Sequence, residues 1–401
     1  MNKYKLKNCV LEMTTACCYS CQHCGSRAGK ARKGELSTEE WLDVADQLAE
    51  MGCRKVALIG GEIFLHPGWD ILAERLNNHF IRVSIITNGY LINSPMVDRM
   101  KACGIDSVAI SLEGPETIHD KYRQKGSFVA ADRTIDMLRM NEIPVSVITT
   151  LNSENVHHLE ELYEYLKEKG IAAWQLQACN PMGNAAEGLG WKFDFSKVLD
   201  FVDRYRKEAL FILGAGHNIG YFTEKEGYLR GNPSGKAVFQ GCSAGLDLIG
   251  IDSTGNVRGC ESLYDDVFIE GNLRERSLYD IWNDPETFKY NRQFHQELLT
   301  GTCSTCEHGG ICAGGCRSYN YFSNDGNMYE SMACAKTNEN KENGGKEMIK
   351  TEKTVLAGET KEESKDTLEL EWVDGELVPV RNGRPQTEER ITSAQEPLAS
   401  L

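Results

Sequence analysis

No stretch of this 401-residue chain approaches the roughly 18 consecutive apolar residues that a membrane-crossing helix needs. The first residues, Met1-Asn2-Lys3-Tyr4-Lys5, lack the apolar segment of an export signal, so the N-terminus reads as mature sequence of a cytoplasmic protein. Positive charge is also scarce. Against 59 Asp and Glu stand 44 Lys and Arg, a net charge of −15, which argues against an extended nucleic-acid footprint while leaving room for a local basic groove. No internal repeat is evident. What is present is a 41% hydrophobic content, enough for a real core, and length for roughly two or three domains. There are also fifteen cysteines, an odd number, mostly at cluster-like spacings. Without an export signal they point to reduced thiols and metal ligation rather than to a disulfide framework.

The stretch Cys17-Cys18-Tyr19-Ser20-Cys21-Gln22-His23-Cys24 holds a C-x3-C-x2-C run directly after a β-like segment, Leu6–Thr14. Three thiolates from one short loop suit a metal cluster, and a [4Fe–4S] cube has four irons to ligate. Cys17, Cys21 and Cys24 would leave one iron open, where a small molecule can chelate. Spacing alone also admits a zinc loop, although zinc thiolates come more often as paired C-x2-C units closing a tetrahedron.

From residue 6 to about 178, short β-branched runs alternate with amphipathic segments. The strands are expected at Leu6–Thr14, Lys55–Ile59, Arg82–Thr87, Ser107–Leu112, Val145–Thr150 and Ala172–Ala178. Helices are expected near 38–51, 68–79, 94–103, 128–141 and 154–169, the first opened by a Ser37…Glu40 capping box with Trp41, Val44, Ala45 and Leu48 behind it. Regular β/α alternation implies right-handed crossovers and a parallel sheet. Six units are too few for a closed eight-stranded barrel, so an α/β partial (β/α)6 barrel is expected, with chemistry at the carboxyl ends of its strands. The expected organisation is a barrel over 1–185, a connector over 186–240, a cysteine-rich domain over 241–336 and a mostly mobile tail over 337–401. Within the tail a hairpin over 367–380 would turn at Asp374-Gly375.

Several short motifs sit at strand ends. Gly60-Gly61-Glu62 follows the second strand, where glycines let backbone approach a ligand and a carboxylate can receive an ammonium group. A plain strand-to-loop turn carries the same residues. Thr87-Asn88-Gly89 ends the third strand and equally suits an ordinary turn. The fourth ends in Ser111-Leu112-Glu113-Gly114-Pro115, followed by His119-Asp120 and Arg123, whose guanidinium fork suits a carboxylate or a surface salt bridge. Gln175 and Gln177 share one side of the sixth strand.

Taken with the cysteine loop, these motifs resemble the radical S-adenosylmethionine (SAM) superfamily over residues 6 to about 336. The resemblance implies that Gly60, Gly61 and Glu62 hold the methionyl amino group, with Ile63 in place of the usual proline. It makes Asn88, Ser111, Arg123 and Gln177 cofactor contacts. His23 stands where an aromatic residue usually meets the adenine, and Glu113 replaces the common Asp. The implied cofactors are SAM and a [4Fe–4S] cluster that binds it. The implied chemistry is a 5′-deoxyadenosyl radical that abstracts a substrate hydrogen, fed by an external electron donor of the flavodoxin or ferredoxin type.

The later cysteines read Cys242-x12-Gly255-x4-Cys260, then Cys303-x2-Cys306-x5-Cys312-x3-Cys316, then Cys334. Alone, Cys303 and Cys306 would also suit zinc. In this order they resemble a SPASM domain, which implies two auxiliary [4Fe–4S] clusters. Cys303, Cys306, Cys312 and Cys334 would hold the distal one, and Cys242, Cys260 and Cys316 the proximal one. Some relatives add a cysteine shortly before the one matching Cys242; residues 234–240 contain none, so the proximal cluster is expected to keep an open iron or to recruit another ligand. Glu261 takes the place of an acidic residue that acts as base in anaerobic sulfatase-maturating relatives, and otherwise reads as a solvated carboxylate. Cys9, Cys18, Cys53 and Cys103 read as buried free thiols, and Cys179 as a thiol at a strand end facing the cavity.

The reading is a radical SAM/SPASM maturase that oxidatively modifies a ribosomally made peptide, forming a thioether or carbon–carbon cross-link. Two alternatives stand beside it: maturation of a protein residue or cofactor, of the sulfatase or haem-pathway kind, and a non-catalytic iron–sulfur electron-transfer protein. Because the chain starts almost at strand one, leader recognition is expected from a separate protein, from the tail, or not at all. Neither nucleic acid nor membrane is an expected partner.

Overall fold

Six short runs of Val, Ile, Leu and Ala, each followed by an amphipathic helix, build the body of the molecule in a computed structural model. It describes residues 3–186, 193–216, 218–221, 229–230 and 238–335, together with the backbone of strands at 369–373, 376–381 and 384–385. The elements run β1 (Asn8–Glu12), α1 (Thr38–Glu50), β2 (Lys55–Ile59), α2 (Trp69–Asn78), β3 (Arg82–Thr87), α3 (Ser94–Ala102) and β4 (Ser107–Ser111). They continue through α4 (Glu116–Tyr122), α5 (Ser127–Met140), β5 (Val145–Leu151), α6 (Leu159–Lys169) and β6 (Ala173–Ala178). β1 to β6 lie side by side in chain order, all parallel. Most of their side chains are buried, as in a sheet covered on both faces. The capping box at α1 forms in both directions, Ser37 Oγ accepting from Glu40 N at 3.2 Å and Glu40 Oε2 from Ser37 N at 2.8 Å. Such a cap contributes about 1 kcal/mol, and it aims Trp41, Val44, Ala45 and Leu48 into the core.

The sheet does not stop at six strands. The 186–240 segment, expected as a connector, forms α7 (Phe195–Tyr205) and then β7 (Ile212–Ala215), a seventh parallel strand on the free edge of β6. On the other edge, β8 (Leu248–Ile251) pairs parallel with β1 and continues into antiparallel β9 (Asn256–Arg258) and β10 (Gly271–Asn272). The glycine inside the cysteine pattern, Gly255, makes the β8–β9 turn at φ +85°. Thus the cysteine-rich part enters the same open sheet, and the chain after β9 turns back over β8, with the Glu261 amide packed against Gly250.

α4 is an element the sequence motifs did not suggest. Its His119 accepts the Glu113 amide at Nδ1 (3.0 Å), and its Asp120 accepts the amides of Gly126 and Phe128, fastening the start of α5. In the tail, residues 369–373 pair antiparallel with 376–381; Asp374-Gly375 lies outside the described residues, as do 336–368, 386–401 and the 234–237 part of the cysteine-free stretch. No helix among the described residues is long and apolar enough to cross a membrane.

Candidate active site

The loop after β1 carries the first three cysteines and is closed at its base by Glu35. This carboxylate accepts from Thr14 Oγ1 (2.8 Å), Thr15 N (2.8 Å) and Arg32 N (3.0 Å). Burial alone would raise its pKa; the bonds from Thr15 and Arg32 outweigh it and hold Glu35 below the usual carboxylate range. Backbone bonds of Gly29 to Thr15 (2.8 Å) and Cys17 (3.1 Å) finish the closure. Gly61 is a glycine because the end of β2 presses on this loop: a Cβ there would overlap the carbonyl oxygens of Thr15 (2.6 Å) and Ala16. Its closeness therefore serves the loop's own backbone.

A cavity of about 370 Å³ opens at the carboxyl ends of the strands. Cys17, Cys21, Cys24 and His23 line it from the loop, Gly60 and Gly61 from β2, Asn88 from β3, Ser111 from β4, Arg123 from α4, and Gln175 and Gln177 from β6. Cys260 and Glu261, some 240 residues further along, line it too. Glu62 is the exception among the expected cofactor contacts. It is fully buried outside this lining and accepts Thr87 Oγ1 (2.7 Å) and Asn88 N (3.1 Å), fixing the end of β3 so that Asn88 Nδ2 stands 3.4 Å from Cys18 Sγ and 3.9 Å from Cys17 Sγ. Cys18, expected as a buried core thiol, is corrected to a half-exposed position beside Asn88 because the loop path turns it out of the core. Cys9, Cys53 and Cys103 are buried, and Cys179 is buried while lining the cavity.

Arg123 spends its fork on Glu113, with Nε and Nη2 at 2.9 and 2.6 Å from one oxygen, and turns Nη1 toward Cys21 Sγ at 3.8 Å. Glu113 also takes His23 Nε2 at 3.2 Å and Thr150 N at 2.7 Å. Burial works against this charge, but Arg123 and His23 hold Glu113 well below the usual carboxylate range. The Ser111…Arg123 motif is therefore a buried ion-pair cluster pinning the back of the cysteine loop, a role its residues did not disclose by sequence.

The donor set fits iron–sulfur clusters. Backbone amides donate to sulfur at Cys17 (from Tyr19, 3.4 Å), Cys24 (from Ala28, 3.3 Å), Cys260 (from Ser262, 3.4 Å) and Cys303 (from Ser331, 3.4 Å). Burial pushes the Cys21 thiol up to about 11 and those of Cys260 and Cys312 to about 12, so their thiolates call for a bound metal cation. Among the described residues no three His, Cys, Asp or Glu side chains are grouped to hold a metal ion. The later cysteines sort by mutual electrostatic influence. Cys316 feels Cys242 and Cys260, and Cys260 feels Cys242; Cys312 feels Cys334 and Cys303, and Cys303 feels Cys306.

Between these two groups lies Arg317, fully buried, a residue sequence reading passed over. It donates to Asn291 Oδ1 (2.9 Å) and to the Met328 carbonyl (3.0 Å), while its Nη2 has no hydrogen-bond partner. Burial lowers its pKa, and the thiols of Cys242, Cys316 and Cys312 oppose that. A buried cation placed so suits a net-anionic thiolate cluster. Glu261 is also buried, and neither carboxylate oxygen has a hydrogen-bond partner. Burial, with Glu12 nearby, raises its pKa well above the carboxylate range. Gly250 leaves the room it occupies, since a Cβ there would meet the Glu261 amide at 2.6 Å.

Comparison with known proteins agrees with this geometry. Residues 11–166 match the family model of the radical SAM superfamily, and residues 242–307 that of an iron–sulfur cluster-binding domain, SPASM. The chain is 30% identical over 340 residues to the AdoMet-dependent heme synthase of Nitratidesulfovibrio vulgaris, covering 81% of this chain and 90% of that protein. It is 28% identical over 323 residues to the mycofactocin maturase MftC of Mycobacterium ulcerans, covering 78% and 83%. The crystal structure of Streptococcus suis SuiB bound to S-adenosylmethionine shares the fold, with a TM-score of 0.66 at 18% identity over 82% of this chain and 76% of that one.

Proposed function

The chain belongs to the radical SAM superfamily and carries a SPASM domain, and from that premise we propose that it is a maturase that oxidatively modifies a ribosomally made peptide. Its cofactors are SAM, a [4Fe–4S] cluster and auxiliary iron–sulfur clusters. The chemistry that the first cluster with bound SAM supplies is a 5′-deoxyadenosyl radical able to take a hydrogen atom from an unactivated carbon. The protein's part is positioning and exclusion of water. Cys17, Cys21 and Cys24 hold the first cluster on a loop pinned by Glu35 and by the Arg123–Glu113–His23 cluster. Cys242, Cys260 and Cys316 hold the proximal auxiliary cluster, and Cys303, Cys306, Cys312 and Cys334 the distal one, with Arg317 between. Glu261 lines the cavity with no hydrogen-bond partner and, once ionised, would take a proton from substrate as the new bond forms; the auxiliary clusters these cysteines would hold would supply an acceptor for the surplus electron.

One observation carries the choice of substrate. The described lining is edged by the amides of Gln175, Gln177, Asn180 and Asn218, already bonded to one another and to the fold, and its single guanidinium or ammonium, Arg123, is committed to Glu113. Amides suit a peptide backbone, whereas the carboxylates of a tetrapyrrole call for cations. MftC and the SkfB maturation protein, 32% identical over 201 residues, are named for peptide products, which supports the same choice. A second reading, action on a tetrapyrrole or other cofactor precursor, draws support from the AdoMet-dependent heme synthase relatives. Co-expression with the product of a neighbouring short reading frame, followed by mass spectrometry, tests the choice. The peptide reading expects loss of two hydrogen masses per bond formed. An unmodified peptide, with conversion of an added tetrapyrrole instead, would favour the second reading.

A further inference from the structure

Residues 13–34 contain no Asp or Glu, yet they hold Arg27, Lys30, Arg32 and Lys33, in a chain where carboxylates outnumber basic residues 59 to 44. Arg27, Lys30 and Lys33 are exposed. The backbone between them touches the cysteines: Ala28 N donates to Cys24 Sγ (3.3 Å), and Gly29 O accepts from Cys17 N (3.1 Å). On the other flank Gln22, which lies between Cys21 and Cys24, donates its backbone amide to Tyr122 O (2.9 Å) and its side-chain amide to Lys121 O (2.6 Å). That brings the backbone of the exposed Lys121 beside the loop, four residues before the exposed Lys125.

The carboxylates nearest this surface leave its sign positive. Glu35 turns inward onto Thr14 and Thr15, Glu12 is buried on Arg32, and Glu113 is buried on Arg123. Glu154 bonds Lys121 and Tyr122, Asp120 turns onto the amides of Gly126 and Phe128, and Glu116 stands exposed at the start of α4, against the five basic residues. None of Arg27, Lys30, Lys33, Lys121 and Lys125 lines the cavity, so this charge does not serve a substrate inside it.

We infer that this outer, basic face of the first cysteine loop is the docking surface for an acidic one-electron carrier protein, of the flavodoxin or ferredoxin kind; the inference rests on the radical SAM reading. Here exposed Gln22 directly follows Cys21 and exposed Gly29 accepts the Cys17 amide, so the outer surface lies close to the thiols, the short approach that electron transfer needs. One electron leaves the reduced carrier and enters the oxidised cluster, and neither a bond nor a proton moves. Redox encounters of this kind bury little surface, below about 1,200 Å². Charge of one sign serves them because it speeds arrival without slowing departure.

The test compares the reconstituted full chain with its Lys30→Glu/Lys33→Glu variant, neither residue being part of the site. Each is given a strongly acidic reduced flavodoxin or, separately, dithionite. The docking surface predicts that the variant loses about ten-fold in flavodoxin-driven rate at low salt, the gap closing as salt rises. Dithionite-driven formation of 5′-deoxyadenosine should match wild type. Calorimetric titration with the flavodoxin, which needs no turnover, should show binding weakened in parallel, and Lys30→Gln/Lys33→Gln should fall between. Unchanged flavodoxin binding and rate in the charge-reversed variant would overturn the inference. Absence of 5′-deoxyadenosine from wild type with dithionite would overturn the radical SAM reading instead, and the titration would still decide the surface.

Discussion

Replacing Arg123 by methionine separates two roles for that residue. Its fork meets one Glu113 oxygen at 2.9 and 2.6 Å, with side chains 11% and 1% exposed. Removing one member of a buried ion pair leaves the other charge uncompensated and costs about 3–5 kcal/mol. Glu113 would keep Thr150 N at 2.7 Å and His23 at 3.2 Å, which places the expected loss near the lower end, about 3 kcal/mol. Adding Glu113→Gln removes the stranded charge while an amide oxygen still accepts from Thr150 N. The double variant should therefore regain about 1–2 kcal/mol over the single one. Denaturant midpoints of the anaerobically reconstituted proteins measure this, alongside SAM affinity by calorimetry. If Arg123→Met left the midpoint unchanged and only weakened SAM binding, Arg123 would be a cofactor-carboxylate contact, and the argument from the buried pair would be wrong.

Other perturbations test other joints of the site. Gly61→Ala should destabilise by about 1–3 kcal/mol, because backbone oxygens of Thr15 and Ala16 stand where the methyl must go; iron analysis should show the first cluster lost before the auxiliary ones. Arg317→Met should strand the Asn291 Oδ1 and Ala313 carbonyl oxygens at about 1–3 kcal/mol, while the Met328 carbonyl keeps its bond from Asn320 Nδ2. It should also shift an auxiliary-cluster midpoint to more negative potential in a redox titration, and an unmoved potential would count against the buried-cation role. Burial, with Arg123 nearby, lowers the His119 pKa to about 3. The unfolded chain takes that proton below pH ~6.5, so this contribution to stability is present above 6.5. It is lost as pH falls toward 3, by at most about 1.4 kcal/mol per pH unit. His119→Asn should flatten that acid limb, and an identical limb would remove His119 as its cause.

The barrel was legible because each parallel strand is a short run buried on both faces and followed by an amphipathic helix; Lys55–Ile59 and Arg82–Thr87 appear in the structure with the ends expected of them. β7 was not. Ile212-Leu213-Gly214-Ala215 has no strand signature of its own, and pairing with β6 makes it one. The joining of β8 to β1 is likewise a long-range event, and it explains why Glu261 faces the first loop's cavity. The thiols stood out as spacings. Their supports did not, because Glu35 reads as one of many surface carboxylates and Arg317 as an ordinary helical arginine until tertiary contacts bury their bonds. Glu62 and Arg123 were singled out for their chemistry, but their partners in the fold are Asn88 and Glu113.

The most direct test of the central assignment is chromatographic. Anaerobically reconstituted protein is reduced with dithionite, supplied with SAM and analysed for 5′-deoxyadenosine, beside a variant with Cys17, Cys21 and Cys24 all replaced by alanine. Wild type should form the product, while the variant should form none and still carry its auxiliary iron. Product from the triple variant, or none from iron-loaded wild type, would contradict the assignment.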